Sequence, residues 1–291
     1  MSDDRARPEI SSLSRAELDQ LVAWAAEEGW NPGRNDAACF WAADPEGFLA
    51  LRLDGEMVGG GAIVSYGGRF GFVGLFIVRP DLRGSGLGRT LWERMRATLL
   101  GRLEPGAAIG LDGVLAMEGF YAADGFRSSH RHLRMAGTGA EPAAGPVDPA
   151  LRPLNELPFE LVAGLDRVCF GFDRSGFLRP WIDPPGGLGL GLLEDERLRG
   201  YGVARPCGEG FKVGPLFADD RDVAGRILAG LGARTEGEPI FLDVPDSNPE
   251  ALALATALGM DEVFACARMY LGEPPGLPWS RIFGATTLEL G

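Results

Sequence analysis

The stretch from Phe70 to Leu100, FGFVGLFIVRPDLRGSGLGRTLWERMRATLL, decides how this chain is read. Phe70 to Val78 is a continuous apolar run rich in Phe, Val and Ile, the pattern of a strand covered on both faces. Pro80 stops it, because proline has no N–H to give a sheet ladder. Arg83-Gly84-Ser85-Gly86-Leu87-Gly88 follows, and then a helix that sets Leu91, Met95 and Thr98–Leu99 on one face. The glycines let the backbone bend tightly and approach a ligand closely. Free N–H groups at the helix start, at the positive end of its dipole, make an anion site. Arg83 and Arg89 add charge beside it. The stretch predicts a strand, a phosphate cradle and an amphipathic helix in direct succession.

Upstream, Ser14 and Glu17 form a capping box for a helix carrying Leu18, Leu21, Val22 and Ala25 on one face. The loop EGWNPGRND has strong turn chemistry at Asn31-Pro32-Gly33. Strands follow at 48–53 and 57–66, joined by the turn Asp54-Gly55. Downstream, a strand at 107–112, a short helix at 115–123 closed by Asp124-Gly125, and a strand at 127–135 complete a mixed α/β unit.

Residues 137–151, rich in Gly, Ala and Pro, read as a linker. Beyond them the pattern starts over, with a helix at 156–169, strands at 188–193, 198–205 and 211–217, a helix at 222–231, a strand at 239–244, a helix at 249–258 and a strand at 263–271. Val73-Gly74 and Gly68 match Val213-Gly214 and Gly208 at one offset. Ile109-x-Leu111-Asp112 matches Ile240-x-Leu242-Asp243, and Gly125-Phe126…Arg134-Met135 matches Gly259-Met260…Arg268-Met269 at the same internal spacing. Together these indicate a tandem duplication, with domains at 1–136 and 152–291. Opposite the glycine loop the second half has PLFADDRDVAGRIL, where Asp219, Asp220 and Asp222 would repel a phosphate. The second half is expected to support the fold or shape the substrate, without holding the anionic ligand.

The net charge of −13 argues against nucleic acid, which needs a basic face. The four cysteines are far apart, and the two histidines, both in SSHRHLRM, build no zinc pattern with them, so no metal is expected. No apolar run of about 20 residues is present and MSDDRARPEI has no signal-peptide core. A reduced, cytoplasmic protein with no membrane partner is the expectation.

VRPDLRGSGLG, after an apolar strand and before a helix, resembles motif A of the GNAT N-acetyltransferase superfamily, and FYAADGF resembles its motif B. The whole chain, with its EGWNPG loop and closing FGATTLELG, is similar to tandem GNAT proteins. The resemblance implies two GNAT-like domains, each a mixed, mainly antiparallel sheet flanked by helices, the first catalytic and the second degenerate. It implies acetyl-CoA as cosubstrate. Arg83, Gly84, Ser85, Gly86, Leu87, Gly88 and Arg89 would hold its pyrophosphate. Phe76, Ile77 and Val78 would pair through their backbone with the pantetheine arm, as an added strand does. A backbone N–H there would polarise the thioester carbonyl.

Amide formation needs a neutral amine beside the thioester and a proton for the leaving thiolate. Tyr121, at the motif-B position, is the expected general acid; a rim tyrosine packing the short helix is the plainer alternative, and Ala255 stands in its place in the second half. Many GNAT enzymes carry a Glu on the strand before the loop, but Phe72-Val73-Gly74-Leu75 offers no carboxylate. Asp112 is the nearest base candidate by topology, with a turn or helix-cap role as its plainer reading. Glu118, His130 and His132 are further candidates, and deprotonation through water stays open. Trp24, Trp30 and Trp41 could line the acceptor pocket with Asn31 and Asp36 as polar anchors; Trp30 and Asn31 are the substrate-binding candidates, and the tryptophans are otherwise core. Asp173, Asp183 and the segment around Phe283 could reach the pocket from the second half. The expected acceptor is a small-molecule primary amine, with homodimerisation left open. A non-catalytic acyl-CoA-binding module and a protein lysine acetyltransferase are the alternatives.

Overall fold

The computed structural model describes residues 7–138, 148–235 and 237–291. The expected linker falls largely outside them, as do the first six residues of the chain. The first half runs β1 (Glu9–Ser12), α1 (Arg15–Glu27), α2 (Asp36–Ala43), β2 (Phe48–Leu53), β3 (Glu56–Tyr66), β4 (Phe70–Val78), α3 (Leu87–Leu100), β5 (Ala108–Val114), α4 (Glu118–Ala122) and β6 (Arg127–Thr138). The second half runs β7 (Leu151–Pro153), α5 (Phe159–Phe170), α6 (Ser175–Trp181), β8 (Leu188–Glu194), β9 (Arg197–Pro206), β10 (Phe211–Ala218), α7 (Arg221–Gly232), β11 (Pro239–Pro245), α8 (Pro249–Ala257), β12 (Asp261–Leu271) and β13 (Ile282–Gly284). The two halves repeat one order of elements. The capping box forms as expected, the Ser14 N–H donating to Glu17 Oε2 at 2.8 Å and the Glu17 N–H to Ser14 Oγ at 3.3 Å. The short elements β1, α2, β7, α6 and β13 were not anticipated.

The described strands form one continuous mixed sheet, ordered β1-β2-β3-β4-β5-β12-β6-β11-β10-β9-β8-β7, with β13 beside β10. The duplication is visible in the register. Parallel β4 and β5 pair Val73 with Leu111, and parallel β10 and β11 pair the matching Val213 with Leu242. The last strand of each half has crossed to the other: β12 pairs with β5, and β6 pairs with β11. Dividing the chain at residues 136 and 152 separates the sequence repeats but not the sheet.

The exchange sets the matching arginines opposite the matching aspartates. Arg134 faces Asp243 across β6 and β11, and Arg268 faces Asp112 across β12 and β5. Both pairs are bidentate and buried, at 2.7 and 3.0 Å in the first and 2.8 and 2.6 Å in the second. Such pairs add little net stability over apolar packing, but breaking one leaves a buried charge alone. Each pair ties the last strand of one repeat to the parallel strand of the other.

Helices α1, α2, α5 and α6 cover one face of the sheet and share a core across the repeat. Phe40 of α2 stacks on Trp181 of α6 at 6.3 Å, and Phe70 of β4 on Phe172 at 4.8 Å. On the other face α3 seats Leu91, Trp92, Met95 and Leu99 in a separate core, as its apolar spacing predicts. Helices α7 and α8 form a third.

Candidate active site

Strands β4 and β5 are paired only from Phe70 and Ala108 as far as Val73 and Leu111. At Leu75 the backbone enters the left-handed region (φ 48°), a conformation that β-branched and bulky residues rarely hold. The register of β4 against β3 shifts at this point, between the pairs Ala62–Gly74 and Gly60–Ile77. This is a β-bulge, and it bends β4 away from β5. Strand β5 continues straight with β12, so a wedge opens between the parallel strands. It encloses a cavity of ≈ 400 Å³ running from Arg83, Gly84 and Gly88 to Tyr121. The β5-facing edge of β4 over Phe76–Val78 has no strand partner among the described residues, so a ligand chain can add there.

At the outer end of the wedge, α3 starts at Gly86, whose φ of 92° suits glycine and which supplies no side-chain cap. The first-turn N–H groups thus face outward unsatisfied by the cap. The equivalent helix of the second half, α7, starts at Asp220, whose carboxylate accepts from the Val223 N–H at 3.0 Å. In the second copy a side chain thus occupies the helix start, and Asp219 is held by Arg197, Arg199 and Arg281.

Arg83 lies on the wedge, donating through Nε to the Val78 carbonyl at 2.9 Å and pairing with Glu28 at 2.5 Å. Arg89 does not line it. Its guanidinium grips Asp124 at 2.7 and 3.0 Å and Glu93 at 2.8 Å. Ser85 bonds to the Leu82 carbonyl at 2.5 Å, so its hydroxyl stabilises the turn.

Tyr121 stands at the inner end, its ring against Trp92 (5.1 Å) and Phe120 (5.4 Å). Gly113 leaves it room: a Cβ there would come within 2.7 Å of the ring. Its hydroxyl has no hydrogen-bond partner among the described residues, and burial pushes its pKa far up, so it stays protonated.

Asp112 also lines the wedge, but both carboxylate oxygens are engaged, by Arg268 and by His132 Nδ1 at 3.0 Å. Burial alone would raise its pKa; Arg268 and His132 outweigh that and hold it well below the carboxylate range. A carboxylate so stabilised is a poor proton acceptor. The structure therefore counts against Asp112 as base. Asp112, His132 and Cys266 bring three donor atoms within 4.8 Å, but the Arg268 guanidinium lies against any cation placed there.

His132 Nε2 lies 3.4 Å from His130 Nε2, and His130 packs on Trp279 at 4.3 Å; neither histidine lines the wedge. Burial, with His132 and Arg268 nearby, pushes His130 down to about 2. Glu118 bonds to Ser128 on the surface. Trp30 does line the wedge, and its carbonyl accepts from Arg134 at 2.7 Å and Lys212 at 3.1 Å. Asn31 does not. Its side chain clamps the Glu209 backbone at 3.0 and 3.1 Å, beside a more open second cavity. Trp24 and Trp41 pack on the core, Asp36 is buried against Arg205, Asp173 pairs with Arg167 and Asp183 is exposed. Phe283 sits in the core under α7 and α8.

The second half contributes what sequence reasoning did not resolve. Strand β13 pairs with β10 at Leu216 and Phe217, and the Ala285 N–H donates to the Asp243 carbonyl at 2.8 Å. The chain's own segment thus fills, in the second copy, the wedge that is open in the first. It then continues into the first copy, where Leu288 and Glu289 line the cavity with Arg134, Phe264 and Cys266. The Glu289 carbonyl packs so closely on Gly74 that a Cβ there would lie 1.9 Å from it. Burial, then Asp112 and Asp243, raise the Cys266 pKa well above its ordinary value, so it is a thiol.

A split parallel pair, a glycine-started helix and an opposed tyrosine thus surround one cavity. Residues 15–126 match the acetyltransferase (GNAT) family and residues 162–284 an acetyltransferase (GNAT) domain, and the chain belongs to that family as a tandem GNAT enzyme. It is 25% identical over 92% of its length to holothin acyltransferase of Pseudoalteromonas sp. (strain SANK 73390), covering 89% of that protein. It is 28% identical over 82% of its length to the uncharacterized N-acetyltransferase YitH of Bacillus subtilis (strain 168), covering 83% of it. A Pyrococcus horikoshii protein assigned as an acetyltransferase shares the fold at TM-score 0.80 and 24% identity, with 98% of this chain and 96% of that one covered. A tandem GNAT protein from the clavulanic acid biosynthesis pathway does so at TM-score 0.65 and 18% identity, with 93% and 100% covered. No helix among the described residues is long and apolar enough to cross a membrane.

Proposed function

We propose that this protein transfers an acetyl group from acetyl-CoA to the primary amine of a small molecule, by direct attack of the amine on the thioester. The observation that carries the proposal is the open wedge between β4 and β5, which joins the uncapped start of α3 to the Tyr121 hydroxyl. Its chemistry fits the donor at three points. The α3 N–H groups and Arg83 suit a pyrophosphate, with Gly84, Gly86 and Gly88 keeping side chains out of the way and Ser85 and Leu87 shaping the turn. The unpaired edge of Phe76, Ile77 and Val78 suits an amide-bearing arm. The protonated Tyr121 can give a proton to the departing thiolate. Arg89, engaged by Asp124 and Glu93, acts on the phosphates only from a distance.

Residues 1–136 form the catalytic repeat in this reading, and 152–291 a degenerate repeat that keeps the fold and closes the site. The acceptor sits at the inner end, near Trp30, whose ring suits a cationic or aromatic amine, while Phe264 already carries the Arg134 guanidinium at 5.3 Å. The relatedness to holothin acyltransferase and to an N-acetyltransferase supports acyl transfer. The test is CoA release from acetyl-CoA over a panel of amines, with Tyr121→Phe as the diagnostic variant. Loss of the acid lowers turnover on the order of 10²-fold with CoA affinity unchanged. Turnover unaltered in Tyr121→Phe removes its acid role. CoA binding without release for any amine removes the enzymatic reading.

A further inference from the structure

We propose that Glu289, delivered to the first copy's wedge from the second half of the chain, is the catalytic proton acceptor for the attacking amine. This rests on the acetyl-transfer reading above and supplies the carboxylate that Phe72-Val73-Gly74-Leu75 lacks. Three carboxylates line the wedge: Glu28, Asp112 and Glu289. Glu28 is paired with Arg83, and Asp112 is held by Arg268 and His132. Glu289 alone has no cationic side chain within ion-pairing distance among the described residues. One of its oxygens takes the Thr287 hydroxyl, and the other accepts no hydrogen bond from the described residues. The residue is only 4% exposed. A buried carboxylate with an unused oxygen on a cavity wall is costly to leave empty, and an amine N–H is the donor that satisfies it.

Its position is fixed by the surrounding backbone. The Glu289 N–H donates to Thr287 Oγ1 at 3.2 Å, the Leu290 carbonyl accepts from the Tyr66 hydroxyl at 2.7 Å, and the Glu289 carbonyl rests on Gly74 beside the β4 bulge. The cationic charges acting on Glu289 come from β6, β9 and β10. Arg134 on β6, Arg205 on β9 and Lys212 on β10 attract it; Arg134 is committed to Asp243 and Lys212 donates to the Trp30 carbonyl, while Arg205 reaches Asp36 through Nη1 and its Nε and Nη2 have no hydrogen-bond partner among the described residues.

In the step, the nitrogen lone pair of the neutral amine forms the C–N bond to the thioester carbon. The carbonyl π pair moves to oxygen and returns as the C–S bond breaks, its electrons leaving on sulfur. Glu289 takes one N–H proton as the nitrogen becomes acidic, and Tyr121 gives its proton to sulfur. Water later removes the proton from Glu289 and restores that of Tyr121. The products are the N-acetyl amine and the CoA thiol.

The test compares wild type, Glu289→Gln and Glu289→Asp with acetyl-CoA and two acceptors, tryptamine and water alone. Thiol release is followed across pH, with CoA affinity by calorimetry and the melting temperature as controls. Glu289→Gln lowers kcat on the order of 10²–10⁴-fold and leaves CoA affinity unchanged. Its rate then climbs steadily with pH, without the acid limb of the wild type, and Glu289→Asp recovers part of the loss. Wild-type turnover with an equally active Glu289→Gln overturns the base assignment alone. A rate loss that tracks lowered CoA affinity or melting temperature, or an unchanged pH profile, also overturns it. A wild type that binds CoA but releases thiol with neither acceptor nor any amine of the panel overturns the acetyl-transfer reading and this proposal with it.

Discussion

Gly74→Ala should disable the enzyme by moving the segment that packs on β4. An added Cβ would stand 1.9 Å from the Glu289 carbonyl oxygen and 2.7 Å from its carbon, both backbone atoms that no rotamer change can withdraw. Restoring a contact of about 3.5 Å requires a shift of roughly 1.5 Å. Misplacing a reacting group by about 1 Å can cost 10²-fold in rate, so a loss of about 10²–10³ in kcat is expected. The overpacking should also cost about 1–3 kcal/mol of stability. Steady-state CoA release and urea denaturation measure the two effects. Gly164→Ala is the control: this exposed glycine inside α5 has nothing within 4 Å of its added Cβ, and the change should leave turnover untouched while stabilising by up to about 1 kcal/mol. The double variant Gly74→Ala/Glu289→Gln separates displacement from a blocked acyl site. If Gly74 acts through Glu289, the double should be little slower than Glu289→Gln alone. Wild-type turnover and stability in Gly74→Ala would refute the reasoning, as would multiplicative losses in the double.

Removing either partner of the Asp112–Arg268 pair should cost about 3–5 kcal/mol in chemical denaturation, while Asp112→Leu/Arg268→Met together should recover most of it. Arg83→Ala should weaken CoA binding by about 10–100-fold, a charge-assisted hydrogen bond's worth, with the wild-type affinity falling more steeply in salt than the variant's. His130 is held neutral in the fold, with its pKa depressed below the ordinary value near 6.5. The unfolded chain therefore binds more protons at acid pH, so stability present at pH 7 should fall below about 6.5, by at most ~1.4 kcal/mol per pH unit. His130→Asn should flatten that slope in melting experiments at pH 5 and 7; an unchanged slope excludes His130 as its source.

The β4–α3 stretch was legible because every local signal in it agrees: apolar strand, stopping proline, glycines with positive φ and an amphipathic helix. The duplication was legible because Asp112 and Asp243, and Arg134 and Arg268, keep their spacing. Their contact across the repeats was not, because spacing along the chain says nothing about which copy a strand joins. Asp112 could be placed at the end of β5 from sequence, but its bond to Arg268 of β12 depends on the exchange and removes it as a base. Asn31 read as a polar anchor and proved to clamp the Glu209 loop, since its partner lies in the other repeat. Glu289 lies in the closing FGATTLELG that carries part of the tandem resemblance, but no periodicity or spacing there singles out its carboxylate. Only the fold carries the segment after β13 from the second wedge to the first.

The crossed strands also bear on how such a protein can arise. The pairings β12 with β5 and β6 with β11 are interchanged by a pseudo-two-fold axis running between β6 and β12, and each repeat's arginine answers the other's aspartate. Two identical single-repeat chains swapping their last strands would generate this geometry as an isologous dimer. The tandem chain has, within one molecule, the strand arrangement of such a swapped dimer. Fusion frees the two sites to differ: one has a helix start with no side-chain cap, and the other is capped by Asp220 and has its wedge filled by β13. A symmetric ancestor could not have specialised one half in this way, because any change in one site would have appeared in both.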